Sequence, residues 1–399
     1  MKRILDKYVL SISSGLCLVI VMMVFNACDR AVIEDDESRR TILFYIGSDN
    51  NQLDNGREGN EPGQKIDEIR RGWQPGKGEM LIYTDQTNQD ACLLRISDNI
   101  DANGMYALDT LGTYTDDNTA DAEVLKRVIK KVVNDYPADS YGMIIFSHGT
   151  GWLPEGMYTS PRSLFVDNED GQWHEMEIAA FASAIPDGLF DFIILEACLM
   201  ADVCLMYELR NKTEYVLASS AEIIAKGFTY IYTENIMGLF NTKQSLDKVI
   251  KDFAYAYSTN YNSFFTVSIL KMSEMDALAE VTKTVLQGME INEDNLSVSI
   301  GEMQRFDRPN AHIAGSIKRP CFFDLGHTIE NIVSDYSAFS SQLEKTVIWK
   351  ASTASFLPGQ SGFNISYHSG LTTYIEQAVY PELNAKFKNS KWYQAILPE

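Results

Sequence analysis

The sequence predicts an α/β protein, a layered sandwich whose central sheet is mostly parallel, carrying a smaller C-terminal extension. Short apolar runs recur along the chain without strict alternation, as expected of strands covered on both faces. Stretches with apolar residues at helical spacing lie between them, and strands alternating with helices imply crossover units. The chain is also large enough for a substantial core: 399 residues, 45% hydrophobic and 22% charged.

Residues 1–28 read as a leader rather than as part of the fold. Lys2, Arg3 and Lys7 precede an apolar stretch from Val9 to Phe25, and Ala27 stands before Cys28. A basic start, an apolar core and a small residue at the cut describe a secretory signal. A cysteine directly after the cut resembles a bacterial lipoprotein box, in which the Cys28 thiol is acylated, although Phe25 stands where Leu is usual. The alternative is an uncleaved anchor, since about 17 apolar residues can just span a bilayer. Either reading puts the remainder outside the cytoplasm, at the cell envelope. Residues 29–40, with Glu34, Asp35, Asp36 and Glu37, read as a solvated acidic tether.

The first predicted strand is Thr41 to Gly47, followed by Met80 to Asp85, Gly142 to His148, Asp191 to Glu196 and Tyr215 to Ser219. Ala120 to Asn134 carries Val124, Leu125, Val128, Ile129, Val132 and Val133 on one helical face, and Pro137 follows its end. Glu177 to Ile185, Leu199 to Arg210 and Leu246 to Tyr257 show the same pattern. Phe264 to Leu270 reads as a further strand and Ser273 to Gly288 as a long helix. Beyond these the rhythm loosens, with a helix expected around Leu325 to Phe339 and strand character near Gly362 to His368. The expected division is a main domain over 41–305 and an extension over 306–399.

The 34 Lys and Arg against 55 Asp and Glu give a net charge of −21. That balance argues against nucleic acid or an anionic lipid surface as partner. It suits cationic peptides, although acidity also serves plain solubility. Without Cys17 and Cys28, four thiols remain: Cys92, Cys198, Cys204 and Cys321. Their spacing shows no disulfide framework and no CxxC metal pattern, and no essential disulfide is expected.

Two strand ends carry the chemistry. GMIIFS runs into His148-Gly149-Thr150-Gly151-Trp152, and DFIIL runs into Glu196-Ala197-Cys198. Functional residues of an open α/β sheet gather at the carboxyl ends of its strands. If these strands are neighbours, an imidazole and a thiol share one rim. The imidazole raises the thiolate fraction and then hands a proton to a leaving amine. The backbone N–H groups of Gly149 and Cys198 are candidate oxyanion donors. A strand-end Cys is often just a small core residue, and a His before a Gly-rich turn is often structural. The pairing of the two is what favours catalysis.

The segments SHGTGW and EACLM resemble the His and Cys signatures of the clostripain family. YIGSDNNQLD, NDYPADSYGMIIFSHGTGW, PRSLFVDNEDGQWHEMEIAAFASAI and GFNISY match in order, so the resemblance spans most of residues 41–370. It implies a caspase-like α/β/α fold and a cysteine endopeptidase cutting after Arg or Lys, with His148 and Cys198 as the dyad. The family generally has Asp two places before its Cys, helping to bind a basic P1 side chain; Glu196 stands there, and a carboxylate still suits Arg or Lys. Lys226 occupies about the place of a second acid and, facing the pocket, would neutralise Glu196. Self-cleavage in the loop after the His is common in the family, and Arg162-Ser163 is the candidate site. Some members depend on calcium; Asp167, Asn168, Glu169 and Asp170 offer oxygens but lack EF-hand spacing, and a solvated acidic turn is preferred. No other cofactor and no dedicated metal site are expected, and the chain is expected to act as a monomer on peptide substrates. Two rivals stand beside this reading: an inactive envelope binding protein that kept the fold, and a thiol acyl-transfer enzyme such as an amidase or transpeptidase.

Overall fold

A computed structural model describes residues 38–48, 60–86, 89–115, 117–155, 164–169, 172–224, 226–260, 264–308 and 319–397. The elements follow in chain order. β1 (Arg40–Gly47), α1 (Glu61–Gly72), β2 (Gly78–Asp85), β3 (Ala91–Ile100) and β4 (Tyr106–Tyr114) come first. Then follow α2 (Ala122–Asp135), β5 (Ser140–Phe146), β6 (Leu164–Glu169), β7 (Gln172–Met176), α3 (Ile178–Ala184) and β8 (Phe190–Glu196). α4 (Val203–Leu209), β9 (Thr213–Ala218), α5 (Thr229–Asn235), α6 (Leu246–Asn260), β10 (Thr266–Lys271) and α7 (Met275–Leu286) complete the predicted α/β part. The C-terminal part holds α8 (Leu325–Glu330), α9 (Ser337–Thr346), β11 (Val347–Ser352), α10 (Pro381–Lys388) and α11 (Lys391–Ile396).

Among the described residues the main sheet has nine strands, in the order β11-β10-β9-β8-β5-β1-β2-β3-β4. The middle five, β9-β8-β5-β1-β2, are parallel; an antiparallel pair flanks them on each side. All five were legible as apolar runs because both faces are covered. Alternate residues enter separate cores: Leu43, Tyr45, Met143, Ile145, Ile193 and Leu195 meet the α2, α3, α4 and α7 side. Ile42, Phe44, Ile144, Phe146, Phe192 and Ile194 meet α1, α5 and α6. The result is the caspase-like α/β/α sandwich.

Local chemistry explains the helix boundaries. The Asp121 side chain accepts from the Glu123 N–H at the start of α2, whose buried face is the one the spacing predicts. The helix expected from Leu199 starts later, at Val203. Leu199 takes a left-handed φ of +60°, and Leu199 and Ala201 donate their N–H groups to Ala221 and Ser219 carbonyls. The helix expected over Leu325 to Phe339 is two helices, interrupted by the Asp335 carboxylate, which accepts from the Ser337 N–H.

Two expected boundaries shift. Arg40, assigned to the tether, is the first residue of β1, buried and paired with Asp191 at 2.8 Å. The division at residue 305 does not appear, because residues 39–399 form one compact unit. β11, from the supposed extension, pairs with β10 inside the main sheet. Tyr374 and Phe387 pack on Trp152, in the loop that carries His148, with ring centroids 4.9 and 5.6 Å away. Cys28 and the leader lie outside the described residues.

Candidate active site

β5 and β8 are parallel neighbours, and their register pairs Phe146 with Glu196. His148 and Cys198 therefore each stand two residues past the same level of the sheet. The loops touch directly beyond that level. A Cβ built on Gly149 would lie 2.7 Å from both the Cys198 carbonyl oxygen and the Met200 sulfur, so only glycine allows this approach. Gly151, at φ +53°, is confined by the Leu199 carbonyl, the Phe322 ring and the Asp202 carboxylate.

Burial then singles out two side chains. Residues 141–154 are all buried except His148, and residues 192–209 are all buried except Cys198; both are half-buried. Solvent thus reaches one imidazole and one thiol on the shared rim. The Cys198 sulfur accepts from the Ile223 N–H at 3.3 Å, and its thiol faces the Ile223 carbonyl at 3.7 Å. No disulfide involves Cys92, Cys198, Cys204 or Cys321. Burial pushes the Cys92, Cys204 and Cys321 thiols up, assisted by Asp85, Asp202 and Asp307 respectively.

Glu196 does not fit the substrate-binding role expected of it. Its side chain is fully buried and both oxygens are engaged. Oε1 accepts from the Lys65 ammonium and the Phe228 N–H, each at 2.5 Å, and Oε2 accepts from the Tyr232 hydroxyl at 2.6 Å. A Cβ on Gly227 would sit 2.3 Å from Oε1, so the chain closes over the carboxylate. The neutralising cation is Lys65 rather than Lys226. Lys65 reaches Glu196 from α1, also donates to Thr229 at 2.8 Å, and lies 4.2 Å from the centre of the Phe146 ring. The Lys226 ammonium instead lies 5.7 Å from the Tyr230 ring centre.

Three further residues shape the site without a functional motif to announce them. Ile223 holds the thiol through its backbone. Glu222, beside it, pairs with Arg308. Asp202 caps α4 through the Leu205 N–H at 3.0 Å, a capping role that its position before an apolar run could have signalled. Its other oxygen is buried with no hydrogen-bond partner and faces Gly151.

Desolvation raises the Asp202 carboxyl to about 7, against the pull of the Leu205 and Cys204 N–H groups. Its folded pKa therefore exceeds the unfolded value of 3.8, and the folded state holds the extra proton between them. Stability contributed by this group falls as pH rises from about 4 to 7, and is level above that. Asp202→Asn keeps the cap without the charge. We expect its unfolding free energy, measured in urea, to decline less across that window, the difference being on the order of 2–4 kcal/mol. A midpoint profile parallel to wild type would show that Asp202 is ionised throughout.

Arg162 and Ser163 lie outside the described residues, as does Asp170. Asp167, Asn168 and Glu169 fall in β6, which pairs with β7 as a hairpin. Among the described residues, no group of three or more His, Cys, Asp or Glu side chains is placed to hold a metal ion.

A rim of this kind on an α/β/α sandwich is the setting of a thiol-dependent hydrolase. The sequence model of the clostripain family matches residues 48–383, and the chain belongs to that family of cysteine proteases. It is similar to an inactive zymogen C11 protease from Parabacteroides distasonis, at 28% identity and a TM-score of 0.73. That match covers 90% of this chain and 98% of the other. It is also similar to a secreted C11 cysteine protease from Bacteroides thetaiotaomicron in complex with an irreversible peptide inhibitor. There the identity is 25%, the TM-score 0.73, and the coverage again 90% and 98%. No curated protein matches the sequence significantly.

Proposed function

We propose that this cysteine protease works as an endopeptidase through Cys198 and His148. The observation that carries the reading is that these are the half-buried residues in two otherwise buried tracts ending at one register. The Cys198 thiolate attacks the scissile carbonyl and forms a C–S bond. His148 gives its proton to the leaving amine as the C–N bond breaks, then takes one from the water that releases the acyl group. The N–H groups of Gly149 and Cys198 stabilise the oxyanion. No cofactor enters these steps.

Cleavage after Arg or Lys is part of the same proposal. It is supported by the family resemblance and by the net charge of −21, which concentrates cationic peptides near the surface. The chain activates itself by cutting after Arg162, and its relative from Parabacteroides distasonis is described as a zymogen. Acylated Cys28 holds it at the cell envelope as a monomer, a reading supported by the leader sequence.

The test is intact mass during incubation of the full-length protein, as wild type, Arg162→Ala and Cys198→Ala. Fragments ending at Arg162 are expected in the wild type alone. Equal cutting of all three would point to a contaminating protease and remove the self-processing claim. A wild type that stays whole and hydrolyses no basic peptide would sink the proposal as a whole.

A further inference from the structure

We propose that Arg308 is an internal occupant of the place where a substrate's basic P1 side chain binds, held there by Glu222. This rests on the protease reading above and adds to it both an acidic specificity residue and its resident blocker.

The neighbourhood of the thiol supplies the first argument. The Ile223 backbone holds the Cys198 sulfur, so Glu222, one residue earlier, is a carboxylate tied to the nucleophile by a single peptide unit. Glu196 cannot serve an incoming cation, since Lys65, Phe228 and Tyr232 use both its oxygens. Glu222 remains accessible, its side chain 18% exposed.

The geometry of the pair is the second argument. Arg308 presents Nε and Nη2 to the two Glu222 oxygens at 2.9 and 2.6 Å, a forked contact of the type a substrate arginine would make. The hydrogen bonds that Arg308 donates to Glu222 raise its guanidinium above the usual value, against the pull of burial and with help from the Glu222 charge; a charged Cys198 adds to this, which places the thiol within electrostatic reach.

Arg308 is also delivered by a braced strip. The Asp307 carboxylate accepts from the N–H groups of Cys321 at 2.8 Å and Phe322 at 3.3 Å, and the Phe306 N–H donates to the Phe322 carbonyl at 2.9 Å. Phe322 in turn confines Gly151 in the His148 loop. The strip that bears the guanidinium is thus fixed against the same rim. The next residue in the sequence is Pro309, so the bond after Arg308 is a tertiary amide without an N–H. Such a bond makes Arg308 a poor substrate for its own enzyme.

The experiment compares the full-length wild type, Arg308→Ala, Arg308→Gln and Glu222→Gln. Kinetics are measured on peptides with Arg or norleucine at P1, together with inhibition by benzamidine and alkylation of Cys198 by iodoacetamide. Both Arg308 variants are expected to lower KM for the Arg peptide about fivefold, which corresponds to an occupant in place about 80% of the time. kcat and the alkylation rate should change less than about twofold, and benzamidine should bind about fivefold tighter. Glu222→Gln should raise KM for the Arg peptide at least about tenfold, and by several times more than it changes KM for the norleucine peptide. Unchanged KM in both Arg308 variants, with melting temperatures like wild type, would overturn the proposal. Slower alkylation and lower kcat at constant KM would overturn it too, showing that Arg308 serves the thiolate instead. A wild type that alkylates normally but hydrolyses neither peptide would sink the protease mechanism, an outcome distinct from either.

Discussion

Cys198→Ala is expected to lower kcat/KM for peptide hydrolysis by at least ~10⁴-fold while moving the melting temperature by less than about 2 °C. The loss is large because no other thiol among the described residues can stand in. Cys204 and Cys321 are buried, and burial raises both thiols far from the reactive range. Cys92 is half-buried, but desolvation and the Asp85 carboxylate push it the same way, and it lies on β3, beyond β1 and β2 from β5 and β8. Stability is spared because the substitution removes one half-buried sulfur with two long contacts to Ile223. His148→Ala tests the second half of the pair. Alkylation of Cys198 should then need a higher pH than in the wild type, as expected of a thiol with no imidazole beside it. Residual hydrolysis in Cys198→Ala above one part in a thousand, in protein freed of contaminants, would place the nucleophile elsewhere.

What the sequence reveals and conceals about this site follows from the range of the interactions. The strands β5 and β8 are continuous apolar runs because both faces are buried, so their ends, and with them His148 and Cys198, could be read directly. β3 ends in the exposed Asp98, Asn99 and Ile100, while no residue of β4 is buried. Such flanking antiparallel strands give no comparable signal. The local chain also misleads at Glu196. Lys226 is near in the motif, whereas the actual partner, Lys65, lies 131 residues away on a helix of mostly polar composition. A buried pair made across two layers leaves no spacing to recognise. Lys226 itself sits at φ +76°, where the turn directs its side chain over Tyr230. Arg308 is likewise brought 86 residues back to Glu222 by tertiary packing alone.

Lys65→Met is expected to destabilise the fold by about 3–5 kcal/mol at neutral pH, the usual consequence of removing one partner of a buried pair. Glu196 would keep the Phe228 N–H and the Tyr232 hydroxyl but lose the cation that balances its charge. The lost contact of the ammonium with the Phe146 ring is the smaller part, since a desolvated cation–π contact contributes about 2 kcal/mol. The variant should regain stability on acidification, because an unbalanced buried carboxylate takes up a proton in the folded state before it does when unfolded. Lys65→Met combined with Glu196→Leu should be closer to wild type than Lys65→Met alone, as removal of both charges leaves none uncompensated. Chemical denaturation at pH 5 and pH 8 measures all three. Phe146 and Glu196 close the two strands that lead to His148 and Cys198, so the single variant should also lose activity through a displaced rim, in kcat rather than in P1 preference. If Lys65→Met instead melts like wild type and changes its preference between Arg and uncharged P1 residues, then Glu196 faces the substrate after all, and the pair with Lys65 tunes specificity rather than holding the strand ends in register.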